Sequence, residues 1–252
     1  MGLPEQSLHA VLEDARAAAA AGASVLRQFT PDLVDASVKG EIGNLVSNAD
    51  IAAERAVRTV LDQRRPGDSV SGEELETTSA CGRFRWCIDP LDGTTNFIRN
   101  IPFYCTSVAA HDTQEEAWVV GAIDAPGLRR RYWAARGQGA WRKTAGHVQQ
   151  LHGPKVSGLA ALLGTGLSYS ERIRAEQLTG LPSLMRGYTD MRRLGSAALD
   201  LCLVADGTLD GYVEGDLAEH DWAAGAVIAR EAGLTVVLPS MPGGLVSAVP
   251  KV

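Results

Sequence analysis

The sequence predicts an α/β protein of α+β character, with helix and sheet layers alternating through the molecule. Helical periodicity fills the N-terminal quarter, short strands joined by tight turns fill the middle, and helices alternate with strands in the last third. The chain has 252 residues, 45% hydrophobic and 21% charged, enough to bury a sizeable core as one large domain or two small ones. That composition excludes a disordered or collagen-like chain.

Ser7 to Phe29 carries Leu8, Val11, Leu12, Ala15, Ala18, Ala19, Val25, Leu26 and Phe29 at helical spacing. Its nearly apolar part, Ala15 to Leu26, is mostly alanine, contains Arg16 and follows no basic leader, so it reads as a helix face and not as a signal peptide or membrane span. Gln6 stands where a myristoylation pattern needs Ser or Thr, and a cytoplasmic protein is expected. A break follows at Thr30-Pro31, and the stretch from Lys39 to Asn44 reads as a loop. A second helix starts within Ser47 to Asp50, shows Ile51, Val57, Val60 and Leu61 on one face, and ends at Pro66-Gly67.

Strands are predicted over Ser69 to Ser71, Arg83 to Asp89, Tyr104 to His111, Ala117 to Asp124, Arg131 to Ala135 and Gly139 to Arg142. Short connections such as Gly137-Gln138-Gly139 imply a largely antiparallel sheet. Farther on, Ser170 to Leu178, Gly195 to Ala205 and Asp221 to Ala232 read as helices, the last two closed by Gly207 and Gly233. Asp210 to Glu214 and Thr235 to Leu238 read as strands. No repeat or low-complexity linker interrupts the chain, so one domain over 1–252 is expected, with structural halves at about 1–145 and 146–252.

Twenty-four Lys and Arg against 30 Asp and Glu leave a formal charge of −6, a field that repels nucleic acid and anionic membranes. The run Arg129-Arg130-Arg131 is read as a solvated strand end. Cys81, Cys87, Cys105 and Cys202 form no CxxC pair and have no His at zinc-ligand spacing, so buried reduced thiols are expected.

The chemistry is concentrated in Trp86 to Phe97, WCIDPLDGTTNF. An apolar strand end delivers Asp89, Pro90 makes the turn, Asp92 follows, and Gly93-Thr94-Thr95 opens a helix. Carboxylates on a rigid turn suit Mg²⁺, which binds through a few carboxylates, waters and substrate phosphate. The N–H groups of a Gly-started helix suit a phosphate oxygen. The plainer reading is that Asp92 caps the helix and Asp89 the turn. Taken singly, Glu73, after Ser71-Gly72, reads as a solvated turn residue and Asp221 as an N-cap, and Ser47-x-x-Asp50 resembles a capping box. Acids at the ends of so many elements nevertheless suggest a common site. If they converge, each like-charged pair about 4 Å apart costs about 4 kcal/mol at an effective dielectric of 20, so convergence requires cations.

Gly72-Glu73-Glu74, WCIDPLDGTTNF and the segment HDWAAGAVIAREAG from His220 to Gly233 together resemble, in order and spacing, the inositol monophosphatase family of Mg²⁺-dependent, lithium-sensitive phosphatases. The resemblance covers most of Lys39 to Leu238 and implies the αβαβα sugar-phosphatase fold. It implies that Glu73, Asp89 and the Leu91 carbonyl hold one Mg²⁺ and that Asp89, Asp92 and Asp221 hold a second, with a third, weaker ion near Glu73. It further implies that Gly93 and Thr94 give N–H groups to the phosphate, that Asp50 and the Thr94 hydroxyl orient the attacking water with Glu73, and that Asp92 and Asp221 border the substrate. Gly195-Ser196-Ala197 resembles the family's Gly-Thr-Ala pocket segment, and Glu214 matches the acid that binds inositol hydroxyls, although a solvated strand-end role fits Glu214 equally.

The implied activity is hydrolysis of inositol monophosphate, a small phosphorylated polyol, by metal-activated water, in a homodimer with no nucleic-acid or membrane partner. Alternatives are a phosphatase of the same fold for histidinol phosphate, a sugar phosphate or phosphoadenosine phosphate, or a non-catalytic regulator associated with RNA or transcription. Three departures stand out. Asn44 replaces the Asp of the family's Asp-Leu-Val-Thr segment, His220 replaces its Trp before the last metal Asp, and the sequence stops at Val252 where relatives continue into a final helix, so either this version is short or that helix is missing.

Overall fold

The computed structural model describes residues 5–29, 34–39, 45–155, 160–241 and 243–251. The expected break at Thr30-Pro31, the loop residues 40–44 and the departure at Asn44 lie outside them. Helix α1 (Glu5–Leu26) and helix α2 (Asn48–Arg64) pack on each other and cover one face of a seven-stranded sheet. Its strands run in spatial order β3 (Ser69–Gly72), β4 (Phe84–Asp92), β5 (Cys105–Asp112), β6 (Ala117–Ala125), β7 (Arg130–Ala135), β8 (Ala140–Thr144) and β9 (His147–Leu151). A short pair, β1 (Ala36–Val38) and β2 (Leu45–Ser47), precedes α2, and the five-residue helix α3 (Thr94–Ile98) follows β4.

Helices α5 (Ala197–Ala205) and α6 (Glu219–Glu231) lie between this sheet and a second one of five strands. The second sheet runs β11 (Asp190–Arg192), β10 (Leu162–Thr165), β12 (Gly211–Gly215), β14 (Leu245–Val249), β13 (Thr235–Val237). Helix α4 (Glu171–Leu184) is outlying, with no buried residue, and is tied to the second sheet by Gln177, whose Nε2 donates to Gly215 O at 3.2 Å. The order of layers is the expected αβαβα.

Helices on both faces explain the sequence of the central strands. β5 and β6 are buried along nearly their whole length, so CTSVAAHD and AWVVGAIDA read as apolar runs and not as alternation. Leu8, Val11, Leu12, Ala15 and Ala18 of α1 fill one side; Leu199, Leu201, Trp222, Val227 and Ile228 of α5 and α6 fill the other. Among the described residues no helix is long and apolar enough to cross a membrane.

Several expectations need correction. β4 does not end in a turn at Asp89-Pro90 but continues to Asp92: Asp89 pairs with Ser107 and Asp92 with Cys105, so one extra residue bulges between them. Proline has no N–H for the ladder, and the bulge absorbs that defect, with Pro90 O accepting from Thr106 Oγ1 at 2.9 Å. β3 joins β4 in parallel, whereas the rest of that sheet is antiparallel. Strands β9, β10, β11 and β14 were not anticipated, and α4 runs past Leu178 through Pro182. Cys87, Cys105 and Cys202 are buried free thiols, but Cys81 is exposed. The basic run is not simply solvated, because Arg131 pairs with Asp124 at 2.7 Å and Arg130 lies 3.8 Å from Asp206.

The approach of α6 to the sheet depends on Gly121 in β6. A Cβ there would stand 2.4 Å from the Ala224 carbonyl oxygen of α6. Gly121→Ala should therefore destabilise the protein by about 1–3 kcal/mol through overpacking, whereas Gly67→Ala, with nothing within 4 Å of its Cβ, should shift a urea unfolding curve little.

Candidate active site

The bulged end of β4 buries both of its acids. Asp89 Oδ1 accepts from Leu91 N at 3.0 Å, and Asp92 Oδ2 accepts from Ser196 Oγ at 2.6 Å and from Ala198 N at 2.7 Å. Ser196 is the N-cap of α5, so the Gly195-Ser196-Ala197 segment holds Asp92 with the first turn of a helix from the other half of the chain. Asn96 fastens the same junction, donating to Phe103 O and Leu194 O, each at 2.8 Å. Gly93 sits at φ 98°, and a Cβ would be 2.9 Å from Phe103 O, so this turn requires glycine.

Asp50 serves two purposes at once. As the third residue of α2 its Oδ2 accepts from Ser47 N at 2.9 Å, completing the capping box, while Oδ1 lies 2.9 Å from Thr94 Oγ1. Thr94 Oγ1 is also 3.0 Å from Leu91 O. Asp221 repeats the device at the start of α6, accepting from Ala218 N at 2.6 Å through Oδ2. A carboxylate has two oxygens, so capping and a role in the cleft are compatible.

Glu73 follows β3 on a turn supported from beneath. Buried Glu54 of α2 accepts from Glu74 N at 2.8 Å and pairs with Arg58 at 2.8 Å, and Arg58 donates to Leu75 O at 3.3 Å. Lys39 reaches over the turn, donating to Glu73 O and Glu74 Oε2, each at 3.1 Å, with its ammonium 3.6 Å from Glu73 Oε1. Across from it stands His220, Nε2 3.9 Å from Glu73 Oε2 and 3.6 Å from Asp221 Oδ1.

These groups line one cleft of about 440 Å³. Glu73, Asp89, Leu91, Asp92, Gly93, Thr94 and Asp221 border it, as do Gly195, Ser196, Ala197 and Glu214. Asp50 is buried just behind Thr94. Glu214, at the end of β12, accepts from the buried Tyr212 hydroxyl at 2.7 Å. Donor atoms of Glu73, Asp89 and His220 lie within 4.8 Å of one another.

The crowding shows in the proton affinities. Burial, then Asp221, pushes Asp92 up to about 8; burial, then Glu73, pushes Asp221 up to about 7; burial pushes Asp50 up to about 6 against the hydrogen bonds from Ser47 and Thr94. Asp89 is held well above its ordinary value by burial and by Glu73, Asp92 and Asp221. Burial raises Glu73 and Glu214 and lowers His220. Asp89 and Asp92 form no ion pair among the described residues, and a carboxylate-rich donor set of this charge fits divalent cations.

Sequence reasoning did not single out Lys39, Arg193, Glu54 and Arg58. Lys39 and Arg193 line the cleft, and Arg193 lowers the proton affinity of Glu214. Lys39 and Arg193 carried no sequence signal; an (i, i+4) Glu54–Arg58 pair was visible as a helix-face ion pair, though not as the support of Glu73.

Buried acids at the ends of separate elements, gathered around a polar cleft, are a donor set for divalent cations of the kind that metal-dependent hydrolases use. A profile of the inositol monophosphatase family matches residues 7–249. Inositol-1-monophosphatase of Mycobacterium leprae is 43% identical over 204 residues, spanning 79% of this chain and 69% of that protein. Histidinol-phosphatase of Mycobacterium tuberculosis is 39% identical over 193 residues, 75% of this chain and 72% of that one. The crystal structure of extragenic suppressor protein suhB from Bartonella henselae superposes with a TM-score of 0.83 at 28% identity, covering 98% of this chain and 95% of that one. The chain belongs to the inositol monophosphatase family and is a phosphoric monoester hydrolase of a metal-dependent kind.

The raised carboxyl pKa values fix the sign of a pH effect. A group whose pKa folding raises contributes stability below its unfolded value, and that contribution is lost as pH rises through the folded value. Between 3.8 and the folded values of about 6, 7 and 8 for Asp50, Asp221 and Asp92, the metal-free protein should lose stability. Thermal denaturation in chelator should give a lower Tm at about pH 8 than at about pH 5, a smaller fall in Asp92→Asn, and recovery at the higher pH on adding Mg²⁺.

Proposed function

We propose that the protein is a Mg²⁺-dependent phosphomonoesterase that hydrolyses inositol monophosphate to inositol and phosphate, acting in the cytoplasm as a homodimer of one-domain catalytic subunits. The observation that carries this reading is the meeting of Glu73, Asp89, Asp92 and Asp221 beside the Asp50–Thr94 pair, with Glu214 farther along the same cleft.

Glu73, Asp89 and the Leu91 carbonyl would hold one ion and Asp89, Asp92 and Asp221 a second, with Glu73 facing a third; lithium sensitivity would follow from Li⁺ taking one of these positions. Bound divalent cations supply Lewis-acid charge and depress the pKa of coordinated water. The chain's own residues orient the reactants. Thr94 has one hydroxyl proton; donated to Asp50 it leaves lone pairs that can accept from the attacking water, so the water proton has a path through Thr94 toward Asp50. The Gly93 and Thr94 N–H groups, at a helix start with no intrahelical partners, would bind the phosphate oxygens. Tyr212 engages Oε2 of Glu214, leaving Oε1 to accept from a polyol hydroxyl, while Gly195, Ser196 and Ala197 form the adjoining wall.

A second substrate reading is favoured by the similarity to histidinol-phosphatase, since a carboxylate at Glu214 receives an ammonium as readily as a hydroxyl. A sugar phosphate or phosphoadenosine phosphate would use the same mechanism. A regulator acting on RNA is disfavoured by the net charge of −6.

Asp92→Asn should lower kcat at least about a hundredfold by weakening cation-borne charge stabilisation while circular dichroism stays native; near-normal turnover in the folded variant removes Asp92 from its assigned role. Phosphate release should be measured from inositol 1-phosphate, histidinol phosphate, fructose 1,6-bisphosphate and 3′-phosphoadenosine 5′-phosphate, with and without Mg²⁺ and Li⁺. The expected result is Mg²⁺-dependent, Li⁺-inhibited preference for inositol phosphate, with Glu214→Gln raising KM for that substrate selectively; preference for another member moves the specificity elsewhere in the pocket.

A further inference from the structure

His220 stands where the family resemblance calls for tryptophan, and its imidazole does more than line the wall. It is the second residue of α6, immediately before Asp221, and Nε2 is directed between Asp221 Oδ1 at 3.6 Å and Glu73 Oε2 at 3.9 Å. Both distances exceed a hydrogen bond, and His220 makes none with a described residue. The side chain is largely enclosed, 21% exposed, and the nitrogen faces the acids across the cleft.

The separations have the size of a coordination sphere. Ligand atoms about 2.1 Å from one ion lie about 3.0 Å apart when adjacent and about 4.2 Å apart when opposed. The donor atoms of Glu73, Asp89 and His220 all lie within 4.8 Å of one another, so small side-chain adjustments bring one nitrogen and two carboxylate oxygens onto a common centre. Tryptophan cannot do this, because its ring nitrogen is a donor only, whereas neutral imidazole offers a lone pair.

We propose that His220 is a further direct ligand of the first metal position, joining Glu73, Asp89 and the Leu91 carbonyl in a mixed nitrogen and oxygen site that binds Mn²⁺ more tightly than Mg²⁺. The inference rests on the metal reading of the cleft proposed above. An imidazole donor strengthens binding of Mn²⁺ and later first-row ions, while Mg²⁺, a hard ion that prefers oxygen, gains little from it. The second position, built from Asp89, Asp92 and Asp221, keeps an all-oxygen donor set suited to Mg²⁺.

The test loads untagged protein with Mn²⁺ alone, counts bound ions by electron paramagnetic resonance, and reads nitrogen coupling by electron spin-echo modulation. Histidine-specific ¹⁵N labelling of the unaltered chain should convert a ¹⁴N modulation into a ¹⁵N one, which needs no mutation. His220→Gln should abolish that modulation and weaken Mn²⁺ binding at least about tenfold, the loss that follows even from removing a ligand's hydrogen-bond partner, with Mg²⁺ affinity unchanged. Mn²⁺ that binds in an Asp89-dependent manner without histidine coupling, and equally well in His220→Gln, overturns the inference and leaves the metal reading standing. Failure of Mn²⁺ and Mg²⁺ alike to bind overturns both.

Discussion

Like charge gathered in a small volume is the constraint on which the site is built. Glu73, Asp89, Asp92 and Asp221 face one cleft; burial raises the proton affinity of each, with repulsion from neighbouring acids adding to it. Such a cluster opposes folding less when its carboxylates also have a structural use. The chain provides one: Asp50 and Asp221 cap helices, Asp89 accepts from Leu91 N, and Asp92 accepts from the first turn of α5. In Asp89, Asp92 and Asp221 the hydrogen bonds fall on one oxygen and leave the other to the cleft, whereas Asp50 uses both, one on Ser47 and one on Thr94.

The layered architecture makes this economical. Helices α2, α3, α5 and α6 all begin at the cleft, so the positive ends of their peptide dipoles point toward the acids. The bulge between Asp89 and Asp92 lets both carboxylates of one strand reach the same space, which regular alternation would also permit only with an even spacing across a flat ladder. Close packing of Gly121 against Ala224 sets α6, and with it Asp221, against the same sheet that carries Asp89. The site therefore depends on backbone distances that only glycine permits at two places, Gly93 and Gly121.

Much of the fold was legible because its signals are local. Alanine-rich periodicity marked α1, the Ser47–Asp50 box marked the start of α2, and Gly207 and Gly233, both at positive φ, marked the ends of α5 and α6. The short strands β10 and β11 were not legible, since three or four residues carry no period and acquire strand geometry from their neighbours. The parallel pairing of β3 with β4 was hidden for the same reason: pairing direction is a property of two segments. Within the site, the motifs named the acids, but Lys39, Arg193 and the Glu54–Arg58 support beneath Glu73 emerged only in three dimensions.

The sequence by itself determined which residues bear the chemistry, because carboxylates at element ends, a glycine that opens a helix and three family motifs in order are all written along the chain. The tertiary structure alone decided how those groups divide their atoms between support and cleft, and that His220 looks onto Glu73 and Asp221. The reason is physical: residue type and spacing set what a side chain can donate or accept, whereas the distance between Glu73 and His220, 147 positions apart by subtraction of their numbers, is set by the packing of β3 and α6 against the same strand, β4.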